Sequence, residues 1–173
     1  MDPVSLTPLD ERWTEPVAAL VADPDVRRFT RIPEPPPAGF AGAWIDAYEK
    51  GRADGSREGF AAVDGAGGFV GLGLAVHIDR EAAEAELGYI VAGHARGQGV
   101  GTAILRLLTD WGFTELAAQR LVLVIDAENH ASQRIAERCG YQLEGVMRST
   151  HVKQGVRADV GLWSRLPSDP AVT

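Results

Sequence analysis

Residues 95–108 read ARGQGVGTAILRLL, with glycines at 97, 99 and 101 and an apolar helical pattern starting straight after them. Val100, Ile104, Leu107, Leu108 and Trp111 recur at helical spacing, which predicts an amphipathic helix with one apolar stripe. A helix N-terminus leaves backbone N–H groups unpaired at the positive end of the helix dipole. Glycines just before it let those groups approach an anion without Cβ interference. The stretch reads as a phosphate cradle or, with no ligand, as a tight strand-to-helix turn.

The elements on either side predict a mixed α/β domain. Upstream, DERWTEPVAALVADPDVRRF holds one or two helices broken at Pro24, and GFAGAWIDAYEKGR holds another. SLTPLD is a short strand start and GFAAVD a further strand. In FVGLGLAVHI, period two puts Val70, Leu72, Leu74, Val76 and Ile78 on one face, and Phe69, Gly71, Gly73, Ala75 and His77 on the other. AEAELGYIV is the strand that enters the glycine stretch. Downstream, RLVLVID is a continuous apolar run, as a central strand requires. ASQRIAERCG is a short helix ending at Gly140, and YQLEGVMRSTHV with VRADVGLWSRL forms an antiparallel pair around KQG. Residues 1–166 are expected to form one domain and 167–173 a tail.

Composition narrows the function classes. The net charge of -7 disfavours nucleic acid, whose phosphates need clustered Lys and Arg, and suits a cationic partner. The single cysteine, Cys139, excludes an internal disulfide, and none of His77, His94, His130 and His151 has metal-ligand spacing. Cys139 is expected to be a buried structural thiol. MDPVSLTPLDER lacks the basic and apolar regions of a signal peptide, and no apolar run is long enough to cross a bilayer. The expected setting is the cytoplasm, with no membrane partner.

Two common cradles fit poorly. The Walker pattern needs a Gly-Lys pair, which the chain lacks. The dinucleotide pattern G-x-G-x-x-G is met at Gly97 and Gly99, but its third glycine falls on Thr102. What Arg96-Gly97-Gln98-Gly99-Val100-Gly101 resembles is the Q/R-x-x-G-x-G/A signature of the GNAT acetyltransferase superfamily. Asn129 and Ser132, followed by Glu137, Gly140, Tyr141, Glu144, Gly145 and Arg148, resemble the N-x-x-S and E-x-x-G-F/Y-x-x-E-G-x-x-R motifs of its ribosomal-protein N-terminal acetyltransferase subgroup.

That resemblance implies a single GNAT-like domain, with a mostly antiparallel twisted sheet of about seven strands flanked by helices. It implies transfer of acetyl from acetyl-CoA, or of succinyl from succinyl-CoA, to a primary amine such as a protein N-terminus or a small amine. The backbone of Arg96, Gly97, Gln98, Gly99, Val100, Gly101 and Thr102 would hold the pyrophosphate, and Tyr89, Ile90 and Val91 the pantetheine arm and acyl group. Asn129 and Ser132 would contact the arm and its sulfur end, and a homodimer is a further family expectation.

Roles follow from the chemistry of acyl transfer. An amine must lose a proton, and Glu86, a carboxylate in an otherwise apolar strand on the face of Gly88 and Ile90, is the candidate base. Its bland alternative is a surface glutamate in salt contact. The leaving thiolate needs only modest help, for which a hydroxyl hydrogen bond suffices; Ala136 occupies the position of the superfamily's usual tyrosine, and Ser132 is the remaining hydroxyl. Ser132 and Asn129 could equally be helix caps. Tyr141 is expected to pack, and Trp44 to wall the acceptor site. Acceptor choice is expected to lie in Phe29 to Arg52 and Met147 to Arg157. A non-catalytic acyl-CoA sensor and a nucleotide-binding oxidoreductase remain the alternatives.

Overall fold

A computed structural model describes residues 3–153 and 155–171. The strands are β1 (Ser5–Pro8), β2 (Glu58–Val63), β3 (Phe69–Asp79), β4 (Glu84–Val91), β5 (Arg120–Asp126), β6 (Gln142–Lys153) and β7 (Val156–Arg165). The α-helices are α1 (Thr14–Ala22), α2 (Pro24–Arg28), α3 (Phe40–Asp54), α4 (Val100–Thr114) and α5 (His130–Arg138). The seven strands form one sheet in the order β1-β2-β3-β4-β5-β7-β6. Every pair is antiparallel except β4 with β5. Gln154, in the turn expected around KQG, lies outside the described residues.

Helices cover both faces. Val17, Leu20 and Val21 of α1 and Ile45 and Tyr48 of α3 pack on Leu72, Leu74 and Ile90. On the other face, Ile104, Leu105 and Leu108 of α4 pack on Leu87, Leu121 and Leu123, and Ala136 of α5 joins them. The buried stripe of α4 runs through Val100, Gly101, Ile104, Leu105 and Leu108. Leu105 belongs to it, whereas Leu107 and Trp111, expected in the stripe, are only half-buried.

The alternation read in β3 fails at both ends. Register shifts fall at Ala62/Val63 against β2 and at Ala75/His77 against β4. Each shift inserts a residue and turns the following side chains over. Leu72, Leu74 and Val76 therefore face α1–α3, whereas Val70 and Ile78 join the α4 side. The second bulge brings His77 opposite Glu86.

One parallel contact shapes the functional end of the molecule. Pairing of β4 with β5 covers only Glu84↔Arg120, Ala85↔Leu121 and Glu86↔Val122. Beyond Glu86 the two strands diverge, and Leu87–Ile90 and Leu123–Asp126 become opposite walls of a cleft. Arg120 clamps the closed end through Glu84 at 2.8 Å and Glu144 of β6 at 2.6 Å.

Candidate active site

The cleft between the diverging strands has a volume of about 650 Å³. Its walls bring together Glu86, Tyr89 and Ile90 from β4 with Asn129 and Ser132 at the start of α5. Trp44 and Tyr48 of α3 line it, as do Phe29 to Pro33 from the first expected acceptor stretch and His151 from the second. Val91 and the glycine stretch 96–102 are not in this lining. They continue from the open end of β4 through a short 3-10 turn, Gly93–Ala95, into α4.

The glycine stretch divides its labour. Gly99 is the N-cap of α4 at φ 80, and Gly97 sits at φ 73, both left-handed backbone that favours glycine. A Cβ on Gly97 would meet nothing within 4 Å, so that side of the turn is open. A Cβ on Gly101 would come within 2.9 Å of Ile135 and 3.3 Å of Val91, so Gly101 serves the close packing of α4 on β4 and α5. The first amides of α4, from Val100 to Thr102, precede the first helical bond, Ala103 N–H to Gly99 O. They are unpaired donors at a helix N-terminus, suited to an anion. The Arg96 side chain turns away from the turn. It pairs with Asp23 at 2.6 Å and Asp25 at 3.0 Å, tying the loop to α2. Gln98 donates to the His94 carbonyl.

The start of α5 carries both expected polar residues. Asn129 caps the helix, its Oδ1 accepting from Ser132 N–H at 3.1 Å. That bond fixes Ser132 at the cleft wall and leaves its hydroxyl free of the capping task. The Tyr89 hydroxyl is buried and has no hydrogen-bond partner among the described residues. Burial pushes it up to about 12, offset in part by the nearby Ser132 hydroxyl. The neighbouring polar groups are structural. Tyr141 is buried with its hydroxyl 2.9 Å from Thr109 Oγ1. Cys139 is fully buried, and burial pushes its thiol up.

The opposite face of β4 carries charge. Glu86 is half-buried and faces α3, where it raises the Tyr48 hydroxyl on top of the larger effect of burial, to about 12. Sequence reasoning missed a second carboxylate. Asp126 ends β5 with its side chain only 11% exposed, 4.0 Å from Nδ1 of His151, which is 14% exposed. Its Oδ1 accepts from Glu128 N–H at 2.8 Å. The signal was an acidic residue closing an apolar strand, but nothing local connects it to His151 on β6.

The arrangement is a glycine turn with free helix amides, a slot between parted strands with a hydroxyl on one wall, and two carboxylates, Glu86 and Asp126, in its lining. A family model described as the acetyltransferase (GNAT) domain matches residues 4–142, and the chain belongs to that family. Over 100 residues it is 33% identical to a spermidine N(1)-acetyltransferase of Escherichia coli strain K12, covering 58% of this chain and 53% of that protein. Over 94 residues it is 31% identical to an N-acetyltransferase, p20, of Bacillus licheniformis. The chain spans about half the length of the curated relatives it matches.

Solved structures share the fold. A spermidine N-acetyltransferase from Vibrio cholerae, in complex with CoA and spermine, superposes with a TM-score of 0.86 at 22% identity, over 96% of both chains. A ribosomal L7/L12 alpha-N-protein acetyltransferase in complex with coenzyme A gives 0.88 at 19% identity, over 95% of this chain and 94% of that one.

Proposed function

We propose that the protein is an acyl-CoA-dependent N-acyltransferase that moves acetyl directly to a cationic primary amine. The observation that carries this is the parting of β4 and β5 beyond Glu86, with α4's free amides at one end and Glu86 and Asp126 on the acceptor side. The names of the relatives, spermidine and ribosomal-protein acetyltransferases, agree with an amine acceptor. The residues fit the donor. Gly97 leaves the turn open to a pyrophosphate, and the β5-facing edge of β4 beyond Glu86, without a strand partner, can hydrogen-bond a pantetheine arm. Acetyl-CoA, when bound, supplies an acyl group activated as a thioester.

The chain's own groups do the rest. Val100, Gly101 and Thr102 N–H groups hold negative charge at the helix N-terminus. Glu86 receives the proton of the acceptor ammonium, whose ordinary pKa of roughly 8–10 leaves it charged at neutral pH. Asp126, steadied by Glu128 N–H and beside His151, draws the ammonium toward the cleft. Trp44 and Tyr48 give the acceptor an apolar wall.

The test is CoA-thiol release from acetyl-CoA with a panel of spermidine, simple diamines, an aminoglycoside and N-terminal peptides. A small polycation turns over fastest, and Asp126→Asn raises its KM on the order of ten-fold, the equivalent of one partly screened charge contact of ~1.4 kcal/mol. If Asp126→Asn leaves KM for every cationic amine unchanged, the acceptor lies elsewhere.

A further inference from the structure

Within the proposed acyltransferase reading, the cleft wall contains a buried hydroxyl that the chemistry so far leaves unused. Tyr89 points from β4 toward α4 and α5. Its ring edge lies 3.5 Å from where a Cβ on Gly101 would stand, so the first turn of α4 holds it in place. Its hydroxyl oxygen is buried and, among the described residues, without a hydrogen-bond partner, an arrangement that is unfavourable unless something offsets it.

The neighbours eliminate themselves one by one. Thr109 has one hydroxyl proton and donates it to the Leu105 carbonyl at 2.7 Å. The 2.9 Å bond between Thr109 and Tyr141 must then be donated by Tyr141, whose proton is thereby taken. The Cys139 thiol donates weakly to the Thr102 carbonyl. Along α5, HASQRIAER, Ser132 is the single hydroxyl, and Ala136 is a buried alanine. Ile135, one helical turn on from Ser132, and the Tyr89 ring both close on the same side of Gly101, and both Tyr89 and Ser132 line the cleft, so the group left beside Tyr89 is the Ser132 hydroxyl. The Tyr89 oxygen is sealed from the cleft, whereas Ser132 lines it. A donor chain that reaches the cleft therefore runs from Tyr89 through Ser132.

We infer that Tyr89 is a positioning residue for Ser132: its O–H donates to Ser132 Oγ, and this directs and polarises the Ser132 O–H toward the sulfur end of a bound CoA. The hydroxyls keep their protons. A phenol pushed up to about 12 does not surrender a proton to a thiolate whose conjugate acid lies near ~8.5, so the pair lends hydrogen bonds and not acid catalysis. Hydrogen bonds to a charged acceptor are about twice as strong as neutral ones, so the pair favours the thiolate over the thiol.

The experiment is calorimetric titration of the whole protein with CoA and with desulfo-CoA between about pH 6 and pH 9. A thiol held about one pKa unit below its free value binds about ten-fold tighter at the alkaline end than at the acid end. The wild-type affinity ratio of CoA to desulfo-CoA climbs by that amount. Tyr89→Phe and Ser132→Ala each flatten the climb, and a wild-type circular dichroism spectrum with a cooperative unfolding transition certifies the fold of each. A Tyr89→Phe variant with the full wild-type climb overturns the inference. Should Tyr89→Phe not fold, fluorotyrosine at position 89 keeps the ring and makes the phenol a better donor, and the climb steepens; an unchanged climb overturns the inference equally. A wild-type ratio flat with pH overturns it while the acyltransferase reading stands, whereas failure to bind CoA and desulfo-CoA alike removes both.

Discussion

Glu86 sits where the two halves of the site meet, at the last paired position of β4 before the strands part. A carboxylate there can reach a proton on an acceptor without blocking the slot. Glu86→Gln keeps the shape and removes the proposed base, so kcat is predicted to fall about 100- to 10,000-fold at neutral pH with donor binding unchanged. Steady-state kinetics beside CoA titration checks this, and a variant within a few-fold of wild type would demote Glu86 to orienting the amine. Glu86 was legible as a charge interrupting an apolar strand. His77 was not, because the bulge at Ala75/His77 turns it to the face of Glu86 against the period-two pattern. Nor was the side chain of Arg96, whose motif position suggests the cradle but whose guanidinium pairs with Asp23 and Asp25, a long-range partnership without local signature.

At the scale of elements, the start of α4 depends on glycines for two different reasons, and substitutions separate them. Gly97→Ala strains a left-handed backbone but touches nothing, and costs about 1 kcal/mol. Gly101→Val drives side-chain atoms into Ile135 and Val91 and costs about 1–3 kcal/mol or more as α4, α5 and β4 are forced apart. Chemical denaturation measures both. Equal losses would mean that the third glycine is a backbone requirement rather than a packing one. The glycine spacing showed that a turn and helix were there, and its following apolar residues gave the helix. Which glycine packs and which stays open depends on Ile135, an element away, and no spacing rule carries that.

Across the whole molecule, Arg120 and Glu144 hold together three strands that the cleft tends to separate. Hydrogen bonds from Arg120 and then from Ser164 hold the Glu144 carboxyl down at about 2, below its usual 4.5. A carboxyl depressed in the folded state contributes stability above its unfolded value, and that contribution disappears as pH falls from about 4.5 toward 2. Glu144→Gln therefore destabilises at neutral pH and flattens the acid limb of the Tm profile in that window. A parallel acid limb in the variant would show the clamp to be energetically idle. The element order and the paired C-terminal strands were readable from periodicity and turn residues. The point at which β4 leaves β5 was not, because no local pattern marks it; it falls level with the register shift between β3 and β4, where Ala75 pairs with Leu87 and His77 with Glu86.

The central claim is that the glycine turn and the parted strands bind an acyl-CoA for transfer to an amine. Parallel calorimetric titrations with acetyl-CoA, succinyl-CoA and NAD, followed by CoA-thiol release with the amine panel, test it most directly. The account predicts micromolar binding of acetyl-CoA, no heat with NAD, and thiol release that depends on both amine and Glu86. Binding without release under any amine would make the protein an acyl-CoA sensor, and no binding of either thioester would reduce the glycine stretch to a turn and contradict the account.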